Sequence, residues 1–170
     1  MNFKWIGAIM VIVGCGGFGF SVAAAHRREE TTLRQLIIAL DYMECELQYH
    51  LTPLPDLCRQ AAAEQRGCIR DVLLNLSREL DAQISPDVER CMQASLCAVE
   101  DIPKRTQQAL TDMGKTLGRF DLSGQLNGLE QVRSACRTEL EALRTNREPR
   151  LRSYQTLGLC AGAALAILLV

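Results

Sequence analysis

The chain has 170 residues, enough for one domain or for one domain with membrane anchors. Its 19 basic and 20 acidic side chains nearly cancel, which disfavours a nucleic-acid partner, because such proteins carry a basic excess. The charges are segregated, since residues 5–25 and 153–170 contain none. This pattern predicts a polar middle, residues 26–152, between two apolar ends, residues 1–25 and 153–170.

The first apolar run, Trp5 to Ala25, spans 21 residues and would reach across the roughly 30 Å of a bilayer core as a helix. The competing interpretation is a cleaved signal peptide, because Ala23-Ala24-Ala25 resembles a cleavage site. Lys4 precedes the run and His26-Arg27-Arg28 follow it. Positive charge on the far side favours an uncleaved anchor with the N-terminus outside and the middle in the cytosol.

Small residues are dense within this run. We expect Gly14 and Gly17 to let another helix approach closely in lipid. The alternative is a loosely packed anchor in which the glycines are only tolerated.

After Arg28 the apolar residues recur at helical spacing, with charged residues between them. This pattern predicts an amphipathic helix ending near His50 whose buried stripe is Leu33, Leu36, Ile37, Leu40, Met43 and Leu47.

A corner between two helices follows at Thr52-Pro53. Threonine is a favoured N-cap residue, and proline at the first helical position loses no hydrogen bond there. Pro55 still falls in the first turn, where a missing N–H is tolerated. We therefore expect Thr52 to cap a helix that begins at Pro53 and continues through Leu54.

Four further helical patterns follow. The second helix should stop around residues 65–67, and a third should run from Ile69 to about Gln83. Ser85-Pro86-Asp87 should open a fourth, Leu110 lies in a short fifth, and Asp121 should cap a long last one. Strand signals are missing, so the expected fold is all-α: an antiparallel bundle of about five to six helices between N- and C-terminal transmembrane helices.

The second apolar run covers Thr156 to Val170 and would span about 23 Å. Arginines crowd just before it, on the same side as Arg27 and Arg28, so both anchors predict a cytosolic middle and an outside C-terminus. Small residues at four-residue spacing predict a helix-packing face, in contact with the first anchor or with a second copy: Gly158, Gly162 and Ala166.

The residues give no catalytic constellation. His50 could pair with Cys45 or Cys58, but no third orienting group is evident. Acid–arginine pairs such as Glu130 and Arg133 are typical of a solvated helix face. We therefore expect no enzyme activity.

Eight cysteines occur without any Cys-x-x-Cys pair, and the chain has only two histidines. A zinc site is therefore not predicted, and a cytosolic location disfavours disulfides. We expect the cysteines to be small buried hydrophobic residues and no cofactor to be bound.

Three features together resemble the stage III sporulation protein AB family of endospore-forming bacteria. They are the Gly-rich apolar N-terminus, the segment LRQLIIALDYMECELQYHLTPLPDL, and LGRFDLSGQ followed by a long helix into a short anchor. The most specific parts are residues 33–57 and 117–125. The family's first motifs fall on Leu33, Arg34, Leu36, Glu44, Glu46, Tyr49, Thr52, Pro53 and Leu54. Its Leu-Gly-x-x-Asp…Gln element falls on Leu117, Gly118, Asp121 and Gln125.

This chain departs from the family pattern at three positions. His50 stands where the family usually has glycine, and Cys45 replaces a usual threonine or serine. Pro149 interrupts a normally unbroken helix, so we expect a kink or a break there.

The resemblance implies a non-enzymatic scaffold or adaptor subunit of the channel complex between mother cell and forespore. Its helical domain would be similar to the platform protein of type II secretion systems. Implied partners are a secretion-type motor ATPase, sister membrane subunits and membrane lipid, with a homo-oligomer possible. Implied localisation is the mother-cell membrane (the outer forespore membrane), with the central domain cytosolic and both termini on the opposite side.

Two other functions are compatible with the sequence. A membrane-anchored helical sensor or signalling module should have a polar cluster buried in its bundle. A thiol-using membrane enzyme should have one reactive cysteine.

Overall fold

The computed structural model describes the backbone of residues 2–82 and 87–169, and the side chains of residues 24–82 and 87–145. Six α-helices and no strands occur in these backbone ranges. They are α1 (Asn2–Tyr49), α2 (Leu54–Ala63), α3 (Gly67–Asp81), α4 (Val88–Cys97), α5 (Lys104–Thr116) and α6 (Leu122–Leu169). The all-α prediction of a helical bundle is confirmed.

The chain divides into two compact units. One comprises residues 1–28 and 141–170, and the other comprises Glu29–Leu140. The second unit, the bundle, lies within the polar middle predicted from the sequence. The two apolar runs are not separate helices, because the backbone of α1 continues from the first run into the bundle and that of α6 continues from the bundle into the second.

Within the described side chains, no helix is long and apolar enough to cross a membrane. Apart from Ala24 and Ala25, the predicted spans, residues 5–25 and 153–170, lie outside that part of the chain. So do the residues predicted to pack helices in lipid: Gly14, Gly17, Gly158, Gly162 and Ala166.

The core of the bundle is built from the leucine stripes of its helices. All six residues of the predicted α1 stripe are buried, and Leu36 and Leu40 have no exposed surface. Full burial of one such side chain stabilises the fold by about 1.5–3 kcal/mol. The later helices bury their apolar residues less completely, since Ala94 and Leu122 are exposed and Leu80 is half-buried.

Helices α2 to α5 pack in sequence order, with α2 against α3, α3 against α4 and α4 against α5. Helices α1 and α6 run antiparallel, as ion pairs at one end of the bundle indicate. There Arg105 of α5 reaches Glu29 of α1, with Nε 3.5 Å from Oε1, and also pairs with Glu139 of α6. The corner between α1 and α2 therefore lies at the opposite end of α1 from Glu29.

The expected break at Pro149 is not observed, because the helical backbone of α6 continues through it. A proline removes one hydrogen bond from a helix interior, and the bonds on either side can hold the remaining backbone helical.

Candidate interaction site at the helical corner

The corner between α1 and α2 is closed by Glu46. Its backbone carbonyl accepts hydrogen bonds from the amides of His50 (2.9 Å) and Leu51 (3.1 Å), which ends α1. Its carboxylate accepts a hydrogen bond from Thr52 Oγ1 (2.9 Å) and lies 3.4 Å from His50 Nδ1. Leu51 adopts the left-handed backbone conformation, with φ of +51°. One glutamate thus fixes the path of the next six residues.

The predicted capping role of Thr52 is wrong. Helix α2 begins at Leu54, Pro53 occupies the N-cap position, and no side chain caps this end. Pro53 is not itself a helical residue, since its ψ of 141° is extended. Thr52 therefore lies one residue too early to cap α2, and its hydroxyl donates backwards to Glu46 instead. Pro55, within the first turn, costs no hydrogen bond, as expected.

The second family segment forms a tight turn between α5 and α6. Gly118 has φ of +71°, a conformation that glycine adopts without penalty. A Cβ atom there would lie 2.6 Å from Val88 Cγ2 and 3.6 Å from Leu54 Cδ2. Glycine is therefore required for both its backbone and the close approach of α4. The contact also places this turn beside Leu54, so the two most specific family segments meet in space.

The predicted cap of the last helix is confirmed. Asp121 Oδ1 accepts a hydrogen bond from the backbone amide of Gly124 (3.1 Å), as an N-cap residue does. Gln125 Nε2 donates to the carbonyl of Phe120 (2.9 Å), which ties the turn back onto α6. A similar cap opens α4, where Asp87 accepts from the amide of Glu89. Ser85 and Pro86, which also predicted that start, lie outside the described residues.

Glu44 contributes to a different feature, a charge cluster between α1 and α6. Arg133 Nη1 donates to Glu44 Oε2 (2.6 Å) and to Asp41 Oδ1 (2.7 Å), and Arg133 also pairs with Glu130. The Arg133 side chain is 18% exposed, and its Nε is buried with no hydrogen-bond partner in the described part of the chain. The predicted ion pair between Glu130 and Arg133 exists. Arg133, through its contacts with the two α1 carboxylates, also joins α1 to α6.

The family's acidic and tyrosine positions thus point in three directions. Glu44 faces α6, Glu46 closes the corner, and Tyr49 is 71% exposed. The spacing along α1 gave no sign of this division, because the partner of Glu44 lies 89 residues away along the chain.

The cysteines match their prediction only in part. Cys58, Cys91 and Cys136 are buried, whereas Cys45 and Cys97 are exposed. Burial raises the pKa of the Cys58 thiol to about 12, and burial together with Glu139 raises that of Cys136 to about 11. These thiols are protonated at neutral pH, which makes them poor nucleophiles. Among the described side chains, no group of three or more His, Cys, Asp or Glu residues could hold a metal ion.

Comparison with known proteins gives a consistent result. The model of the family described as stage III sporulation protein AB matches residues 4–170. The stage III sporulation protein AB of Bacillus subtilis (strain 168) is 27% identical over 173 residues, covering 98% of this chain and 99% of the relative. A solved structure of a stage III sporulation protein AB matches with a TM-score of 0.61 at 22% identity, covering 72% of this chain and 98% of that one. The solved structure supports the fold of the bundle.

Proposed function

Because the chain belongs to the stage III sporulation protein AB family, we propose that it is a non-catalytic scaffold or adaptor subunit of the channel complex formed during endospore formation. In this proposal residues 5–25 and 153–170 anchor it in the mother-cell membrane. The central domain lies in the cytosol, and both termini lie on the opposite side. Its partners are a secretion-type motor ATPase, sister membrane subunits and lipid, and further copies of the chain can associate through the small residues of the anchors.

The observation that carries this proposal is the continuity of the two long helices. Helix α1 contains both the first apolar run and the first helical segment of the bundle. Helix α6 contains both the last helical segment of the bundle and the second apolar run. Within the bundle, Arg133 of α6 joins these two helical segments through its hydrogen bonds to the carboxylates of α1. A helical domain held by two continuous helices has the form expected of a scaffold that must stay attached while a partner acts on it.

The sensor alternative gains one observation, the partly buried charge cluster of Asp41, Glu44 and Arg133. Both carboxylates already pair with Arg133, so a cationic ligand would have to displace an existing ion pair. A structural tie between α1 and α6 accounts for the same contacts at no such cost. We therefore prefer the scaffold.

Co-purification tests the proposal. The full chain, extracted from membranes with mild detergent, is expected to retain the secretion-type ATPase produced with it, and alkaline carbonate should leave the chain in the membrane fraction. The matched control is the same preparation without the chain. Release by carbonate would contradict the anchors, and absence of the ATPase from an otherwise intact preparation would contradict the adaptor role.

A further inference from the structure

The first turn of α5 lacks the features that normally stabilise the start of a helix. Its N-cap position is Pro103, no side-chain hydrogen bond caps this end, and no acidic residue lies in the first turn. Lys104 and Arg105 lie there instead, and positive charge beside the free N–H groups of a helix start is unfavourable. By contrast, Asp87 caps α4 and Asp121 caps α6. The local sequence therefore opposes the helix start that the structure shows.

A buried hydroxyl adds a second cost in the same turn. Thr106 has no exposed surface, and its Oγ1 has no hydrogen-bond partner in the described part of the chain. An unpaired buried polar atom favours any conformation in which water can reach it. Asp101, just before this turn, has φ of +64°, which is uncommon for a residue other than glycine. Both the backbone and the side chains here thus favour a departure from the packed position.

The segment that leads into α5 lies beside open space. Ala98, Val99 and Glu100, between α4 and α5, line a groove of about 400 Å³ together with residues of α3 such as Leu74 and Asn75. This side of the segment is therefore not packed tightly against α3. The groove leaves room for the segment to shift without disruption of the core.

Arg105 ties this turn to the two long helices. Its Nε lies 3.5 Å from Glu29 Oε1 on α1, and its guanidinium also pairs with Glu139 on α6. The Arg105 and Glu139 side chains are 41% and 50% exposed, and ion pairs between exposed side chains are weak. One guanidinium thus joins α5 to both helices through contacts that can break and re-form.

We propose that the first turn of α5, residues 104–107, is a latch that opens locally while the rest of the bundle stays folded. In the closed state Arg105 pairs with Glu29 and Glu139. In the open state the turn leaves α1 and α6, and water reaches the Thr106 hydroxyl. Because one guanidinium must reach carboxylates on two helices, separation of α1 from α6 at this end breaks one ion pair and favours opening. The latch therefore responds to the spacing of the two long helices.

Hydrogen exchange of single amides, followed by NMR on the full chain in detergent micelles, tests the latch. The start of α6 supplies a matched amide. Gln107 N–H donates to the carbonyl of Pro103 and Gln125 N–H donates to that of Asp121, each over 2.9 Å. In the natural chain, exchange corrected for neighbouring residues should be about fivefold faster at Gln107 than at Gln125, because only α6 is capped. Equal protection of the two amides would overturn the inference.

The tie through Arg105 is tested from the other two helices. Glu29→Gln and Glu139→Gln should each accelerate exchange at Gln107 by about two- to fivefold, the range expected for loss of an exposed ion pair. Glu141→Gln is the matched control, since Glu141 is an exposed glutamate on α6 with no ion pair in the described part of the chain. It should leave exchange at Gln107 unchanged. An unchanged rate in all three variants would show that Arg105 does not hold the turn.

A substitution in the turn itself should act in the opposite direction. Thr106→Val removes the unpaired hydroxyl at almost the same volume, so it should slow exchange at Gln107 at least fivefold. Thr116→Val is its control at the other end of α5, because the Thr116 hydroxyl donates to the carbonyl of Met113 (2.9 Å). It should not slow exchange at Gln107.

Two further results would also overturn the latch. Faster exchange at Gln107 in Thr106→Val would show that the hydroxyl is hydrogen-bonded in the folded chain. Amides throughout α3 that accelerate in step with Gln107 in Glu29→Gln would show opening of the whole bundle rather than of one turn. Slower exchange in Thr106→Val and faster exchange in the two glutamate variants, with α3 unchanged, together support it.

Discussion

At the scale of single residues, glycine is used in two physically different ways. Gly67 and Gly118 both have positive φ, of +61° and +71°. Around Gly67 a Cβ would meet nothing within 4 Å, whereas at Gly118 it would collide with Val88 Cγ2. Valine has few rotamers to which it can retreat. The two glycines therefore separate the cost of backbone conformation from the cost of close packing.

Replacing each glycine by alanine measures the two costs. Gly67→Ala should destabilise the fold by about 1 kcal/mol, from the backbone alone. Gly118→Ala should cost about 3 kcal/mol, because overpacking against Val88 adds to the strain. The free energy of unfolding would be measured by urea titration of the full chain in detergent, followed by the accessibility of buried Cys58. Val88→Ala should recover part of the loss only in the Gly118→Ala background, and equal losses at the two glycines would contradict the packing argument.

Arg133 marks the limit of what residue spacing can predict. Its pair with Glu130, three residues away on one helix, follows directly from the sequence. Its contacts with Asp41 and Glu44 span 92 and 89 residues, and they depend on how α1 and α6 are aligned. Periodicity fixes which face of a helix is buried but not its register against a distant helix. Residue spacing therefore does not predict the ion pairs that join α1 to α6, although all three residues are plain in the sequence.

At the scale of helices and corners, apolar periodicity predicted α1 best, because its stripe is long and uninterrupted. The exact helix starts were less predictable. Asp121 caps α6 as expected, yet Thr52 does not cap α2, although both residue types favour that position. The difference is a competing acceptor. Glu46, in the preceding helix, takes the Thr52 hydroxyl, and nothing in the local sequence indicates that α1 ends close enough for this contact.

The two roles of Thr52 predict opposite results for one substitution. Aspartate is a good N-cap residue, so Thr52→Asp would be harmless if residue 52 capped α2. In the observed corner it should destabilise the fold by about 1–2 kcal/mol, because it removes the donor to Glu46 and adds a like charge.

The same urea titration measures this effect. Thr52→Ser, which keeps the donor, should cost less than 0.5 kcal/mol in the manner of ordinary surface substitutions. Glu46→Gln in the Thr52→Asp background should relieve the repulsion. A Thr52→Asp variant as stable as the natural chain would restore the capping interpretation.

At the scale of the whole molecule, the buried thiols make the stability of the core depend on pH. Burial raises the pKa of Cys58 from 9.0 to about 12 and is the first cause of the rise to about 11 at Cys136. The folded chain therefore retains two protons that the unfolded chain loses above its thiol pKa. Their contribution to stability is complete below about pH 9 and declines as pH rises toward 11–12.

We therefore expect the free energy of unfolding to fall between pH 9 and 11. Other groups titrate in this range, so the informative quantity is the difference between variants. Cys58→Ala should reduce the slope of stability against pH, and Cys97→Ala, at an exposed thiol, should leave it unchanged. Equal slopes in the two variants, measured by urea titration with circular dichroism as the signal, would contradict the assignment.

The ion pairs of Arg133 with Asp41 and Glu44 also constrain the order in which the chain can fold. Helices α2 to α5 each pack on their neighbour in sequence, so these contacts close short loops and can form quickly. The α1–α6 contact closes a loop of 92 residues, which costs more chain entropy. During synthesis the leucine stripe of α1 leaves the ribosome long before α6 does. Asp41 and Glu44, on the same helix as that stripe, must wait for an arginine made about 90 residues later, and the nascent bundle is most exposed to misassembly in this interval.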